Sequence, residues 1–212
     1  MTDGSREVAV CVAGVLAGGR SRRMGRPKAL LTLPDGRTLV EHVVGVASAV
    51  AHDVVILGTP ALLPPPLARL PVLVDAKQDG GPLAGLCSLL QYAQNRWALL
   101  LACDMPHLAP GVLHRILARA GEDVDAVAFR QDDVRKACHA CCALYHPRIL
   151  PRALDELARG QASLQNLLAR VRLEAVQPDP RDVHLLTNLN TPEDHARALR
   201  DLQDGAIARH HE

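Results

Sequence analysis

The sequence predicts an α/β fold: one open, doubly wound, mostly parallel sheet with helices on both faces. Three observations predict it. Short β-branched and aliphatic runs alternate with longer segments of helical periodicity along most of the chain. The runs lack the polar–apolar alternation of a half-exposed strand, which suits strands covered on both faces. No internal repeat, low-complexity tract or composition break divides the 212 residues, and one core can serve up to roughly 250. Residues 1–212 therefore read as one domain, with frayed ends at 1–7 and 205–212.

The elements follow in order. Val8 to Leu16 reads as a first buried strand, Leu39 to Ala51 as a helix and Asp53 to Leu57 as a second strand. Leu63 to Pro71 carries Pro64, Pro65 and Pro66 and reads as a surface connection. Pro71 to Asp75 is a third strand. Pro82 to Asn95 is a helix whose proline sits in the first turn, where a missing N–H does no harm. Trp97 to Cys103, strongly apolar, is a fourth strand ending at Asp104. Pro110 to Ala120 reads as helix, Asp125 to Phe129 and Ala140 to Tyr145 as strands, and Pro151 to Arg159 as a helix closed by Gly160.

Composition narrows the function classes. One Trp, one Phe and two Tyr leave a core of Leu, Val and Ala, and too few aromatic platforms for single-strand nucleic-acid binding. A formal charge of +1 implies no polyanionic partner. Met1 to Glu7 is polar, and the apolar run after it is far short of the roughly 20 residues of a membrane span. Six cysteines without an export signal read as reduced thiols, so a cytoplasmic setting is expected, with neither nucleic acid nor membrane as partner.

The most informative stretch is Leu16-Ala17-Gly18-Gly19-Arg20-Ser21-Arg22-Arg23-Met24-Gly25-Arg26-Pro27-Lys28, directly after the first strand. Ligands of open α/β sheets bind outside the carboxyl ends of the strands. Glycines without a Cβ let backbone N–H groups close on phosphate oxygens. Five cations, Arg20, Arg22, Arg23, Arg26 and Lys28, fall within nine residues, where a basic surface turn would leave them repelling one another. Bonds from such cations to a triphosphate, with about four negative charges, are charge-assisted. The spacing matches neither G-x-x-x-x-G-K-[ST] nor G-x-G-x-x-G, which counts against ATPase and dehydrogenase readings.

Three further stretches carry weaker signals. Gly81-Pro82-Leu83-Ala84-Gly85 opens a helix whose free N–H groups and dipole favour an anion or a polar base edge, although it is also an ordinary helix start. Asp104, in Ala-Cys-Asp-Met-Pro, ends an apolar strand where a carboxylate is poorly solvated unless it meets a cation; it is a natural Mg²⁺ ligand, the alternative being a loop cap. Thr187-Asn188-Leu189-Asn190-Thr191-Pro192-Glu193-Asp194 reads as a helix start capped by Thr191, which is structurally complete by itself.

Together, Leu-Ala-Gly-Gly, Ser-Arg-Arg-Met-Gly and Lys-Ala-Leu-Leu resemble the signature loop of the molybdenum cofactor nucleotidyltransferases, and especially the guanylyltransferases among them. The other three stretches follow in that family's order, so the resemblance runs from residue 16 to 194. It implies a nucleotide-diphospho-sugar-transferase-like, Rossmann-like fold and transfer of GMP from GTP to the terminal phosphate of molybdopterin or the molybdenum cofactor, with release of pyrophosphate. It implies that Leu16, Ala17, Gly18, Gly19, Gly81, Pro82 and Leu83 hold the nucleotide, that Arg23 and Lys28 contact phosphates and act in catalysis, and that Asp75 approaches base or ribose. Asp104 would be catalytic and hold Mg²⁺; Asn188 and Asn190 would lie near metal and acceptor. Apo-molybdoenzymes or their chaperones would receive the product.

The match departs in two places. Pro27 stands where guanylyltransferases usually carry an acid, and a Pro-Lys pair is more like the cytidylyltransferase and sugar-phosphate relatives; Leu57-Gly58-Thr59 lacks the asparagine that guanylyltransferases often show. Leu-Ala-Gly-Gly and Gly-Pro-Leu-Ala-Gly lean towards GTP. CTP-dependent transfer to the same pterin, or to another phosphorylated metabolite, is the alternative enzymatic reading. A non-catalytic module that binds and delivers nucleotide or cofactor is the alternative of another class. Cys138, His139, Cys141 and Cys142 lack a partner pair at zinc-site spacing and read as strand thiols. Leu164, Leu167 and Leu168 have core-helix spacing, and Arg148, Arg152 and Arg159 read as a solvated face.

Overall fold

The computed structural model describes residues 10–18, 27–58, 63–133 and 136–209. Its centre is a seven-stranded sheet in the order β3-β2-β1-β4-β6-β5-β7. The strands are β1 (Cys11–Leu16), β2 (Asp53–Leu57), β3 (Val72–Leu73), β4 (Trp97–Ala102), β5 (Ala126–Asp133), β6 (Lys136–Tyr145) and β7 (Leu173–Val176). All but β6 run in one direction; β6 lies antiparallel between β4 and β5. The expected doubly wound, mostly parallel sheet is therefore present, with one reversed strand.

Burial explains why the strands read as continuous apolar runs. In β1, Cys11, Ala13 and Val15 pack into one layer with α1 (Leu39–Ser48) and α3 (Pro110–Leu117). Val12 packs into the opposite layer with α2 (Gly81–Ala93), α4 (Leu150–Ala158) and α5 (Leu164–Leu168). Strand β4 divides in the same way, Leu99 and Leu101 to one layer and Ala98 and Leu100 to the other. With both faces covered, neither side of the strand has a use for polar residues. The Leu164, Leu167 and Leu168 spacing lies on α5 and faces this second layer, as expected.

Helix starts follow their sequence signals. Thr38 and Glu41 form a reciprocal capping box on α1. At α6 (Pro192–Arg209) Asp194 donates its N–H to Thr191 Oγ1 at 3.1 Å, and Thr191 N–H donates to Asp194 Oδ2 at 3.0 Å. Prolines occupy the first turns of α2, α3 and α4.

The boundaries differ where tertiary contacts override local pattern. Only Val72 and Leu73 of the third expected strand pair with β2, because this edge has one neighbour, and Val74 beyond them is exposed. The Leu63–Pro71 connection holds a short 3-10 turn, Pro65–Leu67, whose Leu67 is buried. The two strands expected at 125–129 and 140–145 are the inner parts of a longer pair, β5 and β6. Strand β7 was not expected: Leu-Glu-Ala-Val is short and half-exposed, and becomes a strand by pairing with β5. Helix α6 continues to Arg209, through the expected frayed segment from 205. No helix among the described residues is long and apolar enough to cross a membrane.

Candidate functional site

The carboxyl ends of β1 and β4, the inner end of the β5–β6 pair and the segment after β7 surround a cleft of about 820 Å³. This volume lies within the usual range for small-molecule sites. At its centre is Asp104, two residues beyond β4. Its carboxylate receives Lys28 Nζ on Oδ2 at 3.2 Å and Asn188 Nδ2 on Oδ1 at 2.7 Å. Its backbone carbonyl accepts from Leu189 N–H at 2.8 Å. Lys28 Nζ also donates to Leu189 O, and Asn190 Nδ2 donates to Asn188 O at 3.4 Å. Three segments remote in sequence are thus tied around one carboxylate. The lysine and aspartate side chains remain 21% and 19% exposed, enough to meet a ligand in the cleft.

Two glycine-rich segments meet beside this knot. Ala17 and Gly18 both donate backbone N–H to Leu57 O, at 3.2 and 3.3 Å. Those amides are used by the fold. The approach depends on Gly58, which has φ +102°; a Cβ there would lie 3.0 Å from Gly18 Cα and 3.1 Å from Gly18 N. Sequence reasoning considered Gly58 only for the missing asparagine. A glycine directly after a buried strand was the available signal.

One turn into α2, a Cβ on Gly85 would lie 2.9 Å from Leu16 Cδ2 and 3.5 Å from Asp75 Oδ1. Asp75 therefore reaches α2 beside the end of β1, and burial raises its carboxyl pKa. Gly81 and Pro82 are exposed, whereas Leu83 is wholly buried and its side chain belongs to the core.

Of the residues singled out in the sequence, Leu16, Ala17, Gly18, Lys28, Pro82, Asp104, Asn188 and Asn190 line the one cleft. Asp75, Gly81 and Leu83 flank it through α2 without lining it. Gly19 and Arg23, with the rest of 19–26, lie outside the described residues. The carbonyl of Leu189 was not foreseen, since a backbone acceptor leaves no mark in sequence. Nor was the far wall of the cleft, to which Arg130, Gln131, His139, Cys141, Gln165 and Gln177 contribute.

The chemistry is constrained by what the cleft lacks. Cys103 and Cys142 line it, but burial pushes both thiols up to about 12, so neither is a thiolate at neutral pH. Among the described residues no three His, Cys, Asp or Glu side chains gather into a metal cage. Asp104 offers a single carboxylate beside a cation and two amide side chains. That fits a hard divalent ion completed by water and substrate phosphates, not a closed structural zinc site. With Lys28 at its edge, the arrangement is suited to holding and neutralising phosphate groups.

Comparison with known proteins agrees with this geometry. A probable molybdenum cofactor guanylyltransferase of Bacillus mycoides is 27% identical over 200 residues, covering 92% of this chain and 98% of the relative. The structure of molybdopterin-guanine dinucleotide biosynthesis protein A from Archaeoglobus fulgidus superposes with a TM-score of 0.75 at 22% identity, covering 91% of this chain and 99% of that one. The 2-C-methyl-D-erythritol 4-phosphate cytidylyltransferase of Thermus thermophilus shares the fold with a TM-score of 0.63 at 18% identity, covering 95% and 98%. The family model for the MobA-like NTP transferase domain matches residues 13–176, from within β1 to the end of β7. The chain belongs to the MobA-like NTP transferase family.

Proposed function

We propose that this nucleotidyltransferase moves GMP from GTP to the terminal phosphate of molybdopterin, or of its metal-loaded form. An oxygen of the acceptor phosphate attacks the α-phosphorus, the bond from that phosphorus to the β-phosphate bridging oxygen breaks, and pyrophosphate leaves. The observation that carries the reading is the Lys28–Asp104–Asn188 knot at the end of β4, inside the cleft reached by the glycine loop. The guanylyltransferase relatives supply the choice of nucleotide and acceptor.

The attacking phosphate oxygen is already ionised, so no side-chain base is required. The protein's task is alignment of two anions and neutralisation of charge. Lys28 and, in the undescribed part of the loop, Arg23 and the Gly19 amide would stabilise the departing pyrophosphate. Asp75 and the Gly81–Leu83 backbone would face base and ribose. Asn188 and Asn190 would orient the acceptor side and hold Asp104. A divalent ion, proposed to be Mg²⁺ and held by Asp104, would when bound supply further neutralisation of the phosphates. The 212 residues would act as one domain, in the cytoplasm, and pass the product to apo-molybdoenzymes or their chaperones.

The test is pyrophosphate release with molybdopterin, Mg²⁺ and either GTP or CTP. GTP should support turnover, and Asp104→Asn should lower kcat on the order of 10²–10³-fold, the scale of losing one preorganised electrostatic group. Turnover with CTP alone would make the chain a cytidylyltransferase. Release with neither nucleotide, despite binding, would make it a delivery module.

A further inference from the structure

The wall of the cleft facing away from the glycine loop is formed by β6, and β6 is irregular there. β5 and β6 pair Ala128 with Ala143 and next Arg130 with Cys138. Between those pairs β5 has only Phe129, whereas β6 has His139, Ala140, Cys141 and Cys142. An excess of this kind lifts backbone groups out of the ladder, where they need other partners. Two side chains supply them. The buried Tyr145 hydroxyl donates to Ala140 O at 2.7 Å, and Gln165 Nε2, from the first turn of α5, donates to Cys138 O at 2.7 Å. The bulge is anchored by the pairing of Cys142 with Leu101, three residues before Asp104. One carbonyl within the bulge and one at its edge are thus held by side chains, and bulges beside active sites serve to re-aim side chains.

The re-aiming is visible in packing: Cys138 and Ala140 share a layer with Ala143 and Tyr145, whereas Cys142 and Leu144 pack into the opposite layer, so the face of the strand switches within the bulge. Cys138, Ala140 and Cys142 are buried, while His139 and Cys141 keep partial exposure, and all five line the cleft. Around them the wall offers neutral hydrogen-bonding groups, Gln131, Ser163, Gln165 and Gln177, and one cation, Arg130. Asp104 is the only carboxylate among the described lining residues, so the described part of this wall carries no negative charge of its own. Neutral amides suit a hydrogen-bonding ring, and Arg130 suits its charged tail.

We infer that the bulged stretch His139–Cys142 is the acceptor-recognition wall, with His139 and Cys141 meeting the heterocyclic body of the phosphorylated acceptor and Gln165 as the positioning residue that holds them there. The inference rests on the proposed function, in which the donor nucleotide takes the Leu16–Lys28 end of the cleft.

Alkylation tests it on the whole protein. The other five cysteines are buried, so a small iodoacetamide label, located by mass spectrometry, reports on Cys141. Acceptor should slow labelling of Cys141, and GTP alone should not. Gln165→Met keeps the length of the side chain but removes the donor. It should raise the acceptor KM on the order of tenfold while leaving the GTP KM unchanged, as expected when a partly buried carbonyl loses its partner. If acceptor is turned over with GTP yet Cys141 labels at an unchanged rate, the wall lies elsewhere and the inference fails while the proposed function stands. If no acceptor is turned over with any nucleotide, the proposed function falls and the inference with it. Cys141 footprinting on the wild-type protein decides the matter even if Gln165→Met folds poorly.

Discussion

The two halves of the sheet are built on different principles. In β3-β2-β1-β4 every pairing is parallel and the register is unbroken, from Val12 opposite Asp53 to Leu16 opposite Leu57, and from Cys11 opposite Trp97 to Leu16 opposite Ala102. In β6-β5-β7 one strand is reversed and the β5–β6 register shifts twice. The regular half delivers backbone to fixed points: the end of β1 lies against Gly58, and the end of β4 presents Asp104 to Lys28. The irregular half delivers side chains, and ties itself together with side chains: Tyr145, Gln165, and the Glu156–Arg170 ion pair joining α4 to the end of α5. Regular pairing suits a site that must hold phosphate geometry, whereas a bulged wall can be shaped to one acceptor.

Three perturbations would break or sharpen this contrast. The largest effect is expected at Arg170→Met. Glu156 is only 2% exposed and Arg170 is its ion-pair partner, so the substitution leaves a buried carboxylate without its cation. Destabilisation of about 3 kcal/mol is expected, read as a shift of the denaturant midpoint, and the double variant Glu156→Met/Arg170→Met should recover most of it. Equal losses in single and double variants would show that the pair does not staple this half.

Gly58→Ala attacks the regular half through its backbone. The left-handed φ and the 3.0 Å approach to Gly18 leave no room for a methyl group. A cost of about 2 kcal/mol is expected, together with weaker GTP binding in a calorimetric titration and an unchanged labelling rate for Cys141. An unaltered GTP affinity would show that the Gly18 approach is structural only.

The smallest effect at neutral pH is a shared one that emerges only in alkali. Burial pushes the thiols of Cys11 and Cys87 up to about 11 and those of Cys103 and Cys142 up to about 12, from an unfolded value of 9.0. A raised folded pKa favours the protonated form, so this contribution is fully present below pH 9 and is lost as pH rises towards 11 and 12. Thiolate absorbance should therefore appear together with unfolding in an alkaline titration of a Cys141→Ser variant. A large absorbance rise near pH 9 in the folded protein would contradict the burial of these groups.

Much of the regular half was legible in the sequence because its cause is local. A strand covered on both faces must be apolar at every position, so β1, β2 and β4 declare themselves, and prolines and Thr191 mark helix starts. The irregular half was harder to read. Leu173–Val176 becomes a strand only because β5 lies beside it, and Cys138 to Cys142 read as an ordinary run of strand thiols because a bulge is defined by the partner's register. The site divides in the same way. Lys28, Asp104, Asn188 and Asn190 were singled out by residue type and order, but the bonds among them span up to 84 positions and no local pattern contains them.

By itself the sequence determined the α/β alternation, the glycine loop after the first strand and the family to which the chain belongs. Residue spacing and apolar periodicity encode those features within a few turns of chain. Only the tertiary structure decided that Leu57 takes the Ala17 and Gly18 amides, that Asp104 is shared by Lys28 and Asn188, and that β6 bulges into the cleft with Gln165 and Tyr145 capping its carbonyls. The physical reason is that these partners are set by strand order, by register and by the bulge in β6, none of which a local run of residues specifies.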